Sequence, residues 1–183
     1  ETFAVNIISI NDPPVLSNIE SIEVNEDESI SIPLYATDVD YVSLEFSVET
    51  SINIVSSIVG NLLTIQGVTN YSGNEHITIS VVDNEGEVDN QDVLLSIMSV
   101  NDAPVLSDIE DVIFDEDQST SITLSSIDLD NTNLVYNISS AQNIYGVIAG
   151  NTLSFSADAD FFGSESFTVS VSDEEYSDSQ FIQ

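Results

Sequence analysis

Asn11-Asp12-Pro13-Pro14-Val15-Leu16-Ser17 returns ninety residues further on as Asn101-Asp102-Ala103-Pro104-Val105-Leu106-Ser107. The correspondence continues without a gap to Asp83 and Asp173. Glu26-Asp27 falls on Glu116-Asp117, Asp38-Val39-Asp40 on Asp128-Leu129-Asp130, Gly60-Asn61 on Gly150-Asn151, and Gly73 on Gly163. About two in five of the aligned positions are identical. A unit of that length has been duplicated, and the fold must be one that closes within it.

Working outward from this repeat, the dominant pattern is alternation with period two. It is clearest in His76-Ile77-Thr78-Ile79-Ser80-Val81 and its counterpart Ser166-Phe167-Thr168-Val169-Ser170-Val171. Ile, Val and Leu supply the apolar positions, with Ser and Thr between them, a vocabulary suited to pleated, half-buried strands. The pattern predicts seven strands in the first unit: A near 15–24, B near 29–36, C near 43–48, D near 53–58, E near 62–66, F near 75–82 and G near 89–99. Gly60-Asn61 and Gly150-Asn151 predict a tight D–E hairpin, because Gly and Asn tolerate positive φ. The expectation is all-β: two tandem seven-stranded Greek-key sandwiches, end to end.

Residues 11–100 form the first module and 101–183 the second, whose last strand is expected to be incomplete at Gln183. Residues 1–10 align with 91–100 and read as the last strand of a preceding module. The chain is therefore expected to be an excerpt from a longer array. The competing reading is a strand donated to the open module of another chain.

The charge balance excludes several functions. There are 33 acidic residues, no Lys or Arg, and a formal net charge of −33. Nothing basic is present to neutralise phosphate, so nucleic acid is excluded as a direct partner, and anionic lipid surfaces are disfavoured. No apolar run approaches the ~20 residues of a membrane span, so no direct membrane insertion is expected. Without cysteine there is no disulfide framework. Two carboxylates ~4 Å apart at an effective dielectric of ~20 repel by roughly 4 kcal/mol. Clustered acids must therefore be solvated, protonated or bound to external cations.

Sandwich topology sorts the loops. The B–C, D–E and F–G loops return to the end where strand A begins; the A–B, C–D and E–F loops lie opposite. Asp38, Asp40 and Asp83 should thus face the linker that holds Asn11 and Asp12. Glu26 and Asp27 should face the next module. At the junction this predicts a metal site drawn from Glu26, Asp27, Asn101, Asp102, Asp128, Asp130 and Asp173, with Asp12, Asp38, Asp40 and Asp83 in the equivalent first-module positions. All donors are oxygen, which suits Ca2+ rather than a transition metal; zinc would want His or Cys. The expected affinity is on the order of 10⁻⁴–10⁻³ M. Acids in loops are ordinarily solvated, and one Asp-x-Asp alone supports nothing more. Repetition of the motif, its place beside a linker and the lack of basic partners favour the site.

Asn-Asp-Pro-Pro-Val and Asn-Asp-Ala-Pro-Val at the module starts, Glu-Asp at 26–27 and 116–117, Asp-x-Asp at 38–40 and 128–130, and the stretch from Asp160-Phe161-Phe162-Gly163 to Asp173 resemble the cadherin-like tandem repeats of large bacterial surface proteins and adhesins. The resemblance covers both modules. It implies an immunoglobulin-like sandwich, export to an extracellular or cell-surface location, calcium at some junctions, and a role as stalk or adhesive spacer. Asp12, Asp102 and the two Asp-x-Asp pairs match the ligand positions of that family best. Tyr71-Ser72-Gly73 departs from its Phe-x-Gly.

The leading expectation is a calcium-stiffened structural segment, not an enzyme, whose partners are neighbouring modules of the same array. A second reading is a filament subunit assembled from identical chains by strand donation or end-to-end packing. A third is a carbohydrate or protein recognition module, for which Tyr35, Tyr41 and Tyr145 are scattered aromatic candidates. A fourth is acidity serving only solubility in high salt. His76, the single histidine, alternates with inward Ile77 and Ile79 and reads as an outward strand residue. No nucleophile pairs with a base in the sequence. Asn70-Tyr71-Ser72 and Asn137-Ile138-Ser139 match the glycosylation pattern, which chance produces readily in a Ser-rich chain.

Overall fold

The computed structural model describes residues 2–183 and divides into two units that meet in the chain at Val100 and Asn101. Glu1, the first residue of the expected leading strand, lies outside the described residues. Residues 2–10 enter no strand and their side chains are exposed. Among the described residues every regular element is a strand and none is a helix, so no helix is long and apolar enough to cross a membrane.

In unit one the strands are β1 (Val15–Leu16), β2 (Ile22–Asn25), β3 (Ser29–Pro33), β4 (Ala36–Thr37), β5 (Glu45–Glu49), β6 (Ile54–Val59), β7 (Leu62–Gly67), β8 (Gly73–Val82) and β9 (Val88–Met98). One sheet has the order β2-β9-β8-β5 and the facing one β3-β7-β6, with β1 and β4 forming a short separate pair. This is a Greek-key sandwich. Expected strand A is two strands, not one. β1 pairs antiparallel with β4, and β2 pairs parallel with β9. The break lets Leu16 and the Ile22/Val24 pair reach one core from two sheets. Gln91 holds the crossing: its Oε1 accepts the Ile19 N–H at 3.1 Å and its Nε2 donates to the Ile19 carbonyl at 2.6 Å. Expected strand B is likewise interrupted between β3 and β4, after Pro33, which lacks a ladder donor.

Alternation decides what is buried. Ile77, Ile79 and Val81 of β8 face Leu63 and Ile65 of β7 and Val93, Leu95 and Ile97 of β9 in one apolar cluster. His76, between them in the alternation, is exposed. The β6–β7 hairpin pairs Val59 with Leu62 across Gly60-Asn61. Gly60 has φ +64°, the left-handed first position of a type II′ turn. Asn61 then fastens the end of strand B, accepting the Leu34 N–H at 2.7 Å through its carbonyl and donating Nδ2 to the Leu34 carbonyl at 3.0 Å.

Unit two contains β10 (Val105–Leu106), β11 (Ser119–Thr123), β12 (Ser126–Ile127), β13 (Val135–Ile138), β14 (Ile144–Ala149), β15 (Thr152–Ala157), β16 (Phe167–Ser172) and β17 (Ser177–Ile182). The sheets are β11-β15-β14 and β13-β16-β17, with β10 paired to β12. Phe155 and Phe167 replace Ile65 and Ile77 in the core and meet edge to face, with centroids 5.3 Å apart at 63°. Gly146 of β14, where unit one has Ser56, makes room: a Cβ there would lie 2.6 Å from Ile138 Cδ1.

Unit two departs from the sequence expectation on one side. Residues 112–115, the counterpart of β2, form no strand, and β16 begins at Phe167 whereas β8 begins at Gly73. Both stretches flank, in unit one, the second half of β9, to which β2 and the first residues of β8 are hydrogen-bonded.

Candidate functional site

Pairwise hydrogen bonds tie the linker to the B–C and F–G loops within each unit. In unit one, Asn11 Nδ2 donates to Asp83 Oδ2 at 2.7 Å, and the Asp12 N–H donates to Asp40 Oδ2 at 3.0 Å. Ser9 Oγ donates to Asp40 Oδ1 at 3.1 Å. Unit two repeats the arrangement: Asn101 Nδ2 donates to Asp173 Oδ2 at 2.7 Å, and the Asp102 N–H to Asp130 Oδ2 at 2.8 Å. The B–C and F–G loops therefore both hold the start of strand A, as the order of strands requires.

Asp38 and Asp128 have divided roles. Asp38 Oδ1 accepts the N–H groups of Asp40 at 2.6 Å and Tyr41 at 2.8 Å, closing an Asx turn. Asp128 Oδ1 does the same for Asp130 at 2.9 Å and Asn131 at 2.6 Å. Their second oxygens are buried and accept no hydrogen bond, and Asn11 Oδ1 is in the same condition. Leaving a buried acceptor unpaired costs about 1–3 kcal/mol, and more for a charged one. In unit two Asn131 Nδ2 donates to Asn101 Oδ1 at 2.6 Å, where unit one has Tyr41 instead of an amide.

Asp83 and Asp173 are buried and already engaged. Asp83 Oδ1 accepts the main-chain N–H groups of Glu85, Gly86 and Glu87 at 2.9, 2.7 and 2.9 Å. The Asn11 amide first, and these main-chain donors after it, hold its carboxyl below the usual carboxylate range against the opposing effect of burial. Asp173 is lowered chiefly by the Tyr176 N–H, with Asn101 and Glu175 adding to it. Both stay ionised and tie the F–G loop to the linker.

Glu26 and Asp27, at the other end of unit one, also have local work. Glu26 is only 5% exposed, and its Oε1 accepts the Val100 N–H at 2.7 Å. Asp27 takes φ 59° in a turn, and its Oδ1 accepts the Asn70 N–H at 3.1 Å. Among the described residues no three acidic or histidine side chains stand together as a ready-made metal group.

The donor chemistry nevertheless fits a hard cation. Among the described residues the unpaired buried atoms at the pole are one carboxylate and one amide oxygen in unit one, and one carboxylate oxygen in unit two, types that oxygen-coordinating divalent ions take alongside main-chain carbonyls and water. Asn11 was absent from the sequence-derived ligands; its signal was the repeat itself, which places it opposite Asn101. The Gln91 clasp and its counterpart also escaped sequence reasoning. Gln180 Oε1 accepts the Ile109 N–H at 2.9 Å, and Leu16 and Leu106 each donate their N–H to Asp89 and Asp178 at 2.8 Å.

Comparison with known proteins agrees with this architecture. Drosophila N-cadherin EC1-4 superposes with a TM-score of 0.61 at 15% identity, covering 94% of this chain and 49% of that one. Protocadherin Gamma B2 extracellular cadherin domains 3-6 give 0.59 at 13%, covering 93% and 46%. Human CDH23 EC21-23 gives 0.55 at 14%, covering 97% and 66%. The chain thus spans about half of the first two structures, and the likeness is one of fold. No curated protein matches the sequence. A model described as bacterial Ig domain matches residues 11–96 and again residues 101–183. With nearly all of its length inside these two matches, the chain belongs to the bacterial Ig domain family.

Proposed function

We propose that this chain is a structural repeat segment of an extracellular stalk or adhesin, stiffened by calcium at the linker pole of its modules, and that it is not an enzyme. One observation carries the reading: buried carboxylate oxygens of Asp38 and Asp128 accept no hydrogen bond in a chain without a single Lys or Arg to compensate them. Bound calcium supplies positive charge and 6–8 oxygen positions. Asp38 and Asp128 offer their second oxygens, Asn11 its amide oxygen, and Asp12, Asp40, Asp102 and Asp130 lie on the same loops. Asp83 and Asp173 hold those loops in place. Glu26 and Asp27, which the order of the repeat assigns to the following junction, are covered by the same test.

The stiffening follows from electrostatics. Without a cation, like charges beside the linker repel and it bends freely; with one, they are drawn to a common centre. The duplicated family domain supports a structural role with neighbouring modules as partners.

Calorimetric titration with calcium tests the reading. The intact chain should bind in the range of 10⁻⁴–10⁻³ M, and a variant with Asp128→Ala and Asp130→Ala should lose the unit-two component. An isotherm unchanged by that variant would remove the site.

A further inference from the structure

Charge is unevenly shared between the sheets. β3, β6 and β7 of unit one contain no Asp or Glu, and neither do β11, β14 and β15 of unit two. The other sheet of unit one carries Glu23, Glu45, Glu49, Glu75, Asp89 and Asp92. In a chain of net charge −33, the sheet that ends in β6 or β14 is kept free of charge in both units.

Each of these sheets also ends in a bare edge. β6 pairs only with β7, and β14 only with β15. The Asn53 carbonyl accepts the Val68 N–H at 2.9 Å. Alternation from that pair turns the main-chain groups of Val55, Ser57 and Val59 toward β7, and those of Ser56 and Ile58 away from it. Ile54 is already engaged, its N–H donating to the Ser51 carbonyl at 3.2 Å. Unit two repeats the pattern. The Asp158 N–H donates to the Asn143 carbonyl at 2.9 Å, so Gly146 and Ile148 turn outward, while the Ile144 N–H donates to Glu165 at 2.9 Å. Charged side chains, proline and bulges ordinarily keep an edge from pairing with another chain. β6 and β14 contain no charge and no proline, and their registers run without interruption.

We propose that the β6 edge, and the β14 edge likewise, is a lateral docking surface for a second copy of this chain, joining the β3-β7-β6 sheets of two copies into one continuous sheet. With β6 antiparallel to β6 of the second copy about a two-fold axis at Ser57, Ser56 of each copy meets Ile58 of the other and exchanges both N–H···O bonds with it. On the outer face Val55, 50% exposed, stands opposite the second copy's Val59, 79% exposed, and the two Ser57 side chains face each other. β14 fits itself in the same way about Val147, with Gly146 opposite Ile148 and Tyr145 opposite Ala149 of the second copy. β5, the free edge of the other sheet in unit one, does not: a two-fold axis at Ser47 sets Glu45 directly against Glu49 of the second copy, a destabilising pair. The same patch serves both partners, so the contact is isologous and closes on two copies.

The chain has no cysteine, so a single introduced thiol reports the register. In EDTA, Ser57→Cys should form a disulfide-linked dimer under mild oxidation, because Cα atoms at a directly opposed, non-hydrogen-bonded pair lie about 4.5 Å apart, within disulfide reach. Val55→Cys should cross-link at least about tenfold more slowly, since four residues of strand hold the two thiols roughly 13 Å apart. Both side chains are exposed, so circular dichroism of either variant should match the wild type. Sedimentation velocity of the wild-type chain should show a dimer that grows with concentration. The double variant Ser57→Glu, Val147→Glu sets carboxylates against each other at both axes and should need at least about tenfold more protein to dimerise. Equal cross-linking by the two thiols reports collision without register and overturns the proposal. So does a dimer that the double variant leaves intact. A wild-type chain that stays monomeric to about 1 mM overturns it as well, and is the result expected if the edge receives a different protein.

Discussion

Replacing Asp38 or Asp128 by Asn should change stability in opposite directions with and without calcium. The substitution keeps Oδ1, and with it the Asx turn to Asp40 and Tyr41 or to Asp130 and Asn131. It converts only the buried, unpaired oxygen into an N–H donor and removes one negative charge from the pole. In EDTA, relief of an unpaired buried acceptor worth about 1–3 kcal/mol should stabilise the unit by roughly 1 kcal/mol. In 10 mM calcium, a site with a dissociation constant on the order of 10⁻⁴–10⁻³ M stabilises the wild-type unit by about 1.4–2.7 kcal/mol, and the variant forfeits this. For modules of this size, about 4–8 °C accompany each kcal/mol. Calcium should therefore raise the wild-type melting temperature by roughly 6–20 °C, and leave the substituted unit nearly unmoved. Differential scanning calorimetry in EDTA, in calcium, and in sodium chloride of matched ionic strength reads all three conditions. Asp38→Asn acts on unit one and Asp128→Asn on unit two, so each unit is the control for the other. An equal rise in sodium, or a change of the same sign with and without calcium, refutes the reasoning.

Gln91→Ala removes both hydrogen bonds to Ile19 and should cost unit one about 2–3 kcal/mol, read as a lower urea midpoint. Asp83, Asp173, Glu75 and Glu165 all hold carboxyls below their usual range. The stability they contribute is therefore complete above the ordinary carboxylate pKa and is lost as pH falls through their depressed values. Acid unfolding followed by circular dichroism should be less steep in Glu165→Gln, whose wild-type carboxylate accepts N–H groups from Gln142, Asn143 and Ile144. The Tyr41 hydroxyl, which donates to Glu85 at 2.7 Å, is pushed up to about 12. Ultraviolet titration of wild type against Tyr41→Phe should assign it the late transition, and Glu85→Gln should bring that transition down.

Much of the architecture was readable because the repeat and the alternation agree. Gly60-Asn61 and Gly150-Asn151 mark their hairpins by local turn chemistry, and Ile77, Ile79 and Val81 mark their strand by period alone. The split of strand A was not readable, because it depends on Gln91 reaching across to Ile19 from more than seventy positions away. The absence of a strand at residues 112–115 was hidden for a related reason. Those residues carry the same apolar alternation as Ile22 and Val24, but a strand exists only where another pairs with it, and pairing is not a property of the segment. The candidate site divides in the same way. Topology placed Asp12, Asp38, Asp40 and Asp83 near one another. It did not reveal that Asp83 is occupied by three main-chain donors, or that the unpaired oxygens belong to Asp38 and Asn11.

The parallel pairing of β2 with β9 has a mechanical consequence. These strands lie near the two ends of unit one, and they run in the same direction. Tension applied through the termini therefore drags them past each other, and the bonds between Ile22–Asn25 and Leu95–Met98 share the load instead of opening singly.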